Sequence, residues 1–289
     1  MVLPTLLPWT LHEAAAFFDG QKIWVLGGAR QGEVVTNMIF SFDPVSEAIT
    51  VSPAVLPAAE QSAYYASNGS VIYLFGGDNG NNGGLRSIVR FDASTQTVTT
   101  MSAQLPSSRM TGGAVWVGQY IYLIGGFNGS VISDIFRYDT LSDSLQQLAS
   151  DSSLRREQPA VIAHGGYLYI AGGHIAQSLT TYASVVRLEL STGTITTIST
   201  TNPLPLFFTG SSTDGTSAFI LGGINPDNTD ATAITRFDPR SLRFEQVGSL
   251  AHPKHGNAWT WANGAFYSLG GMNVPARTYL RTIQRWAPP

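Results

Sequence analysis

Four side chains of this sequence are suited to moving a proton near neutral pH and stand where loops meet apolar runs: Glu60, Glu157, His174 and His255. Arg109 and Arg156 would hold an anionic group beside them, which suits metal-free isomerisation, epimerisation or cyclisation of a small molecule. No spacing pairs one acid with one base, so binding without turnover is the first reading and catalysis the alternative. The contacts for a small molecule or peptide segment are then His12, Glu13, Arg30, Asp78, Phe127, Asn128, Phe207, Phe208, Asn225, Asn257 and Asn273, with the two arginines. His12, Glu13, His252 and His255 are donors that zinc or iron accepts, but Lys254 puts a cation among them, so neither a metal site nor any cofactor is expected.

Bulk properties narrow the partners. The formal net charge is −3 and no run of Lys or Arg occurs, which argues against a nucleic-acid backbone as ligand. The absence of cysteine removes disulfides and thiolate chemistry without assigning a compartment. The opening MVLPTLLPWT has no basic segment, is broken by Pro4 and Pro8, and is too short to span a bilayer, so neither signal peptide nor membrane anchor is expected. Asn68-Gly69-Ser70 and Asn128-Gly129-Ser130 match the glycosylation pattern, yet Asn-Gly is also the dipeptide of a tight hairpin.

The elements that must position these residues come from a repeat. Paired glycines close an apolar run at Gly27, Gly76, Gly125, Gly172, Gly222 and Gly270, at spacings of 49, 49, 47, 50 and 48 residues. An aromatic ring stands three residues before each pair: Trp24, Tyr73, Tyr122, Tyr169, Phe219 and Tyr267. Turn glycines precede each run, usually after Asp or Asn, and predict a hairpin of two strands, A and B. A third strand, C, ends in Ser-Phe-Asp43, Arg-Phe-Asp92, Arg-Tyr-Asp139, Arg-Leu-Glu189, Arg-Phe-Asp238 or Arg-Trp-Ala287. Strand D follows at Ile49, Val98, Leu145, Ile195 and Phe244. The last unit has no such strand, and residues 1–8 read like the D-strand exits VSPAVLP and MSAQLP, so they are expected to supply it.

Apolar residues running into a double glycine, with a spaced aromatic, resemble the Kelch repeat over essentially the whole chain. The resemblance implies an all-β, six-bladed β-propeller with four antiparallel strands per blade, over residues 9–56, 57–105, 106–154, 155–204, 205–251 and 252–289. A single domain is expected, and a monomer. The tryptophan usual near the start of strand D is replaced by Ile, Val, Leu, Ile and Phe. Kelch propellers include oxidases, mutarotases, specifier proteins and protein-binding adaptors, so the resemblance implies the fold and leaves the activity open. Copper-radical oxidation needs a Cys crosslinked to Tyr, and iron binding of the specifier kind needs Glu, Asp and His at intervals of four; the sequence has neither. Proton transfer at Glu60, Glu157, His174 or His255, with the arginines holding an anion, is similar to what single-domain Kelch mutarotases need.

Charges repeated in nearly every blade, such as Arg90, Arg137, Arg187 and Arg236, belong to the scaffold. The loops leading into strand A and leaving strand B form the mouth. Aligned on the turn glycine, the lead-in triplets begin at Leu11, Glu60, Arg109, Arg156, Leu206 and His255, and they differ from blade to blade as a specific ligand would require. Phe207 and Phe208 are adjacent, so one of them is expected to line the opening.

Overall fold

The structure, a computed structural model, describes residues 1–81, 84–175, 180–200, 206, 208–274 and 277–288. It is all-β, with six four-stranded antiparallel sheets and, among the described residues, one short 3₁₀ turn at Ser152–Leu154. No helix of the described residues is long and apolar enough to cross a membrane. The chain forms two compact units, Met1–Met110 with Gly256–Pro289, and Thr111–His255.

The first unit holds three blades. Blade 1 runs Ala15–Phe18, Ile23–Leu26, Met38–Phe42 and Ile49–Val55. Blade 2 runs Tyr64–Ser67, Val71–Phe75, Ser87–Asp92 and Thr97–Gln104. The third blade joins Ala258–Ala262, Ala265–Leu269 and Thr282–Trp286 to Val2–Leu6, whose Val2 faces Gln284 and whose Leu6 faces Thr282. Leu3 and Leu7 are buried there, and the Leu7 N–H donates to the Arg281 carbonyl at 2.8 Å.

Blade-to-blade packing explains the unbroken apolar runs. In Ile23–Leu26, Ile23 and Val25 pack toward Ala258, Tyr267 and Leu269, while Trp24 and Leu26 pack toward Ile72, Leu74 and Phe91. A strand buried on both faces needs apolar residues at every position rather than every second one. The second unit repeats the arrangement with strands Gly113–Val117 to Ser144–Ser150, Ala160–His164 to Ile195–Ile198, and Gly210–Thr213 to Arg243–Ser249. Its inter-blade clusters centre on Ile124, Leu168 and Ile170, and on Ile162, Ala171 and Ile220.

The double glycines have a steric cause. Gly222 has φ +61°, and a Cβ there would stand 2.6 Å from the Lys254 carbonyl oxygen. That carbonyl accepts from the Gly223 N–H at 3.2 Å, and the same bond joins Gly28 to Glu60, Gly77 to Arg109, Gly126 to Arg156 and Gly271 to Leu11. Each of these five pairs therefore clasps the lead-in of another blade, which only a residue without a side chain permits.

The repeated charges close turns. Asp43, Asp139 and Asp238 each accept backbone N–H groups two residues on, at 2.8 to 2.9 Å. Asp92 accepts from the Ser94 hydroxyl and the Arg90 guanidinium, which hold its carboxyl down at about 2 despite some burial. Arg137 lies 4.4 Å over the Tyr120 ring and Arg187 4.7 Å over Tyr167.

Candidate functional site

Each lead-in is a triplet with a repeated backbone. In three of them the second residue makes a two-way bridge with the residue leaving strand B: His12 with Ala29, Gln61 with Asp78, Glu157 with His174. In all six the third residue is the repeated point, left-handed with φ from 49° to 60° at Glu13, Ser62, Thr111, Gln158, Phe208 and Gly256. In the first unit the Ser62 N–H donates to the Glu13 carbonyl at 3.0 Å and the Glu13 N–H to Gly256 at 2.5 Å; in the second, Gln158 donates to Thr111 at 2.6 Å.

This geometry shifts the sixth triplet by one residue. Gly256 holds the third position and Lys254 the first, so Asn257 falls just beyond the triplet. The constant distance is the fourteen residues from the third position to the double glycine; the hairpin before Gly264 is one residue longer. Asn257 instead donates to the Ser268 hydroxyl at 2.6 Å, inside the blade.

The first residue of each triplet is buried. Leu11, Glu60, Arg109, Arg156, Leu206 and Lys254 are all at most 5% exposed. Arg156 shows what this slot contains. Its Nε donates to the Ser153 carbonyl at 2.9 Å, Nη1 to the Gly172 and Ser184 carbonyls at 2.8 and 3.0 Å, and Nη2 to the Ser184 hydroxyl at 3.1 Å. Its guanidinium also lies 4.4 Å over Tyr182, and burial brings its pKa down to about 10. Burial alone likewise raises the Glu60 carboxyl to about 8 and lowers the Lys254 ammonium to about 7.

Among the loops of the first unit, Arg30 lies 4.3 Å over the Trp9 ring and reaches the Thr36 hydroxyl at 3.4 Å. His12 Nε2 stands 3.7 Å from Glu13, whose other oxygen accepts from the Ser62 hydroxyl. Asp78 accepts from the Gly80 N–H at 3.0 Å and from Gln61 at 3.4 Å. Tyr279 and Glu33, absent from the sequence-derived candidates, join this group. The Tyr279 hydroxyl donates to Glu33, its N–H donates to Gln31 at 3.2 Å, and its ring meets His12 edge-on at 5.4 Å. Burial, then the bond to Glu33, raises its pKa. Asn273 accepts from the Thr278 N–H in the same hairpin.

In the second unit, His255 Nδ1 and Asp230 Oδ1 are 2.7 Å apart, with both side chains 3% exposed. The Phe208 ring lies between two imidazoles, 5.0 Å from His174 and 6.3 Å from His255. His174 is fully buried, which lowers its pKa to about 4 and keeps it neutral. Glu157 accepts from the Thr111 hydroxyl at 3.3 Å. Asn128 and Asn225 serve their own turns, through Ser130 and Thr229, and Phe127 bridges to Val131 through its backbone. Phe207 lies outside the described residues. Of the four proton-transfer candidates, Glu157, His174 and His255 thus belong to the second unit and Glu60 to the first. Among the described residues no three His, Asp or Glu side chains are grouped to hold a metal ion.

A family model described as the KLHDC2/KLHL20/DRC7 Kelch-repeats domain matches residues 11–213. Direct comparison with curated proteins gives no match. Kelch propellers commonly bind proteins or peptides. With six four-stranded blades, apolar runs that end in double glycines, and that match over most of its length, the chain belongs to the Kelch-repeat β-propeller family.

Proposed function

We propose that the protein is a binding propeller whose lead-in and B-exit loops engage a peptide segment, or a small molecule with the same groups. One observation carries this reading: the third lead-in residue repeats in backbone and not in side chain. Its left-handed conformation and N–H bonds recur, while the side chains are Glu13, Ser62, Thr111, Gln158 and Phe208. A frame held by its own backbone does not need these side chains to keep its shape. Glu13, Ser62 and Thr111 can therefore exchange their present side-chain partners for groups of a ligand, and their variety suits an asymmetric one. The buried first residues, Arg109 and Arg156 among them, support the frame in this account.

The test is a displayed peptide library panned on the intact protein, with enriched peptides remeasured on Glu13→Gln, Asp78→Asn and Phe208→Ala. At least one variant should bind about tenfold more weakly, the size of one lost interaction of about 1.4 kcal/mol. Peptides that bind all three variants as tightly as the parent would refute the assignment.

A second reading has its own observation. Asp230 Oδ1 lies 2.7 Å from His255 Nδ1, where a carboxylate orients a catalytic imidazole, and Glu157 is a second acid or base in the same unit. A metal-free isomerase or cyclase would then use these loops. It requires that a bound molecule be recovered chemically altered, and that His255→Gln abolish the change while binding persists.

A further inference from the structure

We propose that the buried slot at Glu60 binds a monovalent hard cation, Na⁺ or K⁺. In other blades Leu11 and Leu206 fill this slot with apolar atoms, and Arg156 fills it with a guanidinium bonded to main-chain carbonyls of Ser153, Gly172 and Ser184. In blade 4 the slot is therefore walled by acceptors where the chain leaves strand B and enters strand C. Blade 2 has the same register: Phe75 pairs with Ile88 as Ala171 pairs with Val185, so Gly76 and Ser87 correspond to Gly172 and Ser184.

By that correspondence Glu60 brings an acceptor to a place built of acceptors. Its side chain is 2% exposed, and its Oε1 has no hydrogen-bond partner. A buried polar atom without a partner calls for an explanation, and an ion is one of the few available. Carboxylate and carbonyl oxygens together make an all-oxygen donor set, which selects hard cations over zinc or copper. Burial keeps the Glu60 carboxyl neutral below about pH 8, so a cation enters by displacing its proton. The single carboxylate then balances one positive charge, the charge that the guanidinium carries in blade 4. Calcium sites draw on several carboxylates, and among the described residues no group of three His, Asp or Glu meets here. The binding reading above does not depend on this site.

The test is thermal unfolding of the full chain at matched ionic strength in choline, sodium, potassium or calcium chloride. The parent should melt about 3 °C higher in Na⁺ or K⁺ than in choline at about 150 mM salt, as expected for a site with a dissociation constant near 15 mM. Glu60→Gln should melt alike in all four salts. Glu60→Arg supplies the missing charge covalently, so it should be equally insensitive and remain folded if the glutamine variant does not. The proposal is overturned if the parent melts alike in choline, Na⁺ and K⁺, if calcium alone raises its melting point, or if either variant keeps the dependence.

Discussion

Replacing Arg156 by methionine separates a scaffold role from ligand contact. The substitution keeps an apolar stem of similar length and removes donors to three carbonyls and one hydroxyl. Hydrogen bonds from a charged donor contribute about 1.5 kcal/mol each at the low end, and stacking on Tyr182 adds about 1 kcal/mol. Against this, burial depresses the guanidinium pKa from 12.5 to about 10, which corresponds to about 3 kcal/mol disfavouring the charged form. The bonds win, and the net loss should be about 3 to 4 kcal/mol. Chemical denaturation reads it as a lower midpoint at an unchanged slope. Arg236→Met is the control. Its partner Glu245 is 2.6 Å away, but the side chains are 42% and 62% exposed, so the change should stay within about 0.5 kcal/mol. An Arg156→Met protein as stable as the parent but unable to bind peptide would refute the scaffold reasoning.

Three further outcomes are expected. The His174 pKa falls from 6.5 to about 4 on folding, so the stability it contributes is complete above pH 6.5 and declines as pH drops toward 4, by about 3 kcal/mol. Glu60 slopes the other way, so the term is read as the difference between parent and His174→Gln; no pH dependence in that difference would contradict it. Removing residues 1–8 strips the fourth strand and buried Leu3 and Leu7 from its blade, and should lower stability by about 4 kcal/mol; equal melting points would count against any closing role. Gly222→Ala, at φ +61° with its new Cβ 2.6 Å from the Lys254 carbonyl oxygen, should cost about 2 kcal/mol or more, whereas Gly215→Ala meets no atom within 4 Å and should be milder.

The fold was legible because one steric requirement recurs. A Cβ at Gly27, Gly76, Gly125, Gly222 or Gly270 would collide with a lead-in carbonyl, so double glycines mark the blades, and strands buried on both faces appear as continuous apolar runs. The site was legible only in part. Glu60, Arg109 and Arg156 look like mouth residues in sequence because charge ordinarily seeks water; all three are buried, and the carbonyls that receive Arg156 leave no trace in the sequence. Aligning on the turn glycine displaced the sixth triplet, whereas the fourteen-residue distance to the double glycine would have found Gly256 and Lys254. Asp230, Glu33 and Tyr279 lie in variable loops, far in sequence from His255 and His12, and no spacing announces them.

Mapping where a library-selected peptide sits, by amide and side-chain NMR perturbation of the full-length protein, tests the central claim most directly. Perturbations should concentrate on the left-handed lead-in residues and B exits within a unit, at Glu13, Ser62 and Asp78 or at Thr111, Gln158 and Phe208. Perturbations centred instead on the C-to-D turns at Asp43, Asp92, Asp139 and Asp238 would contradict it.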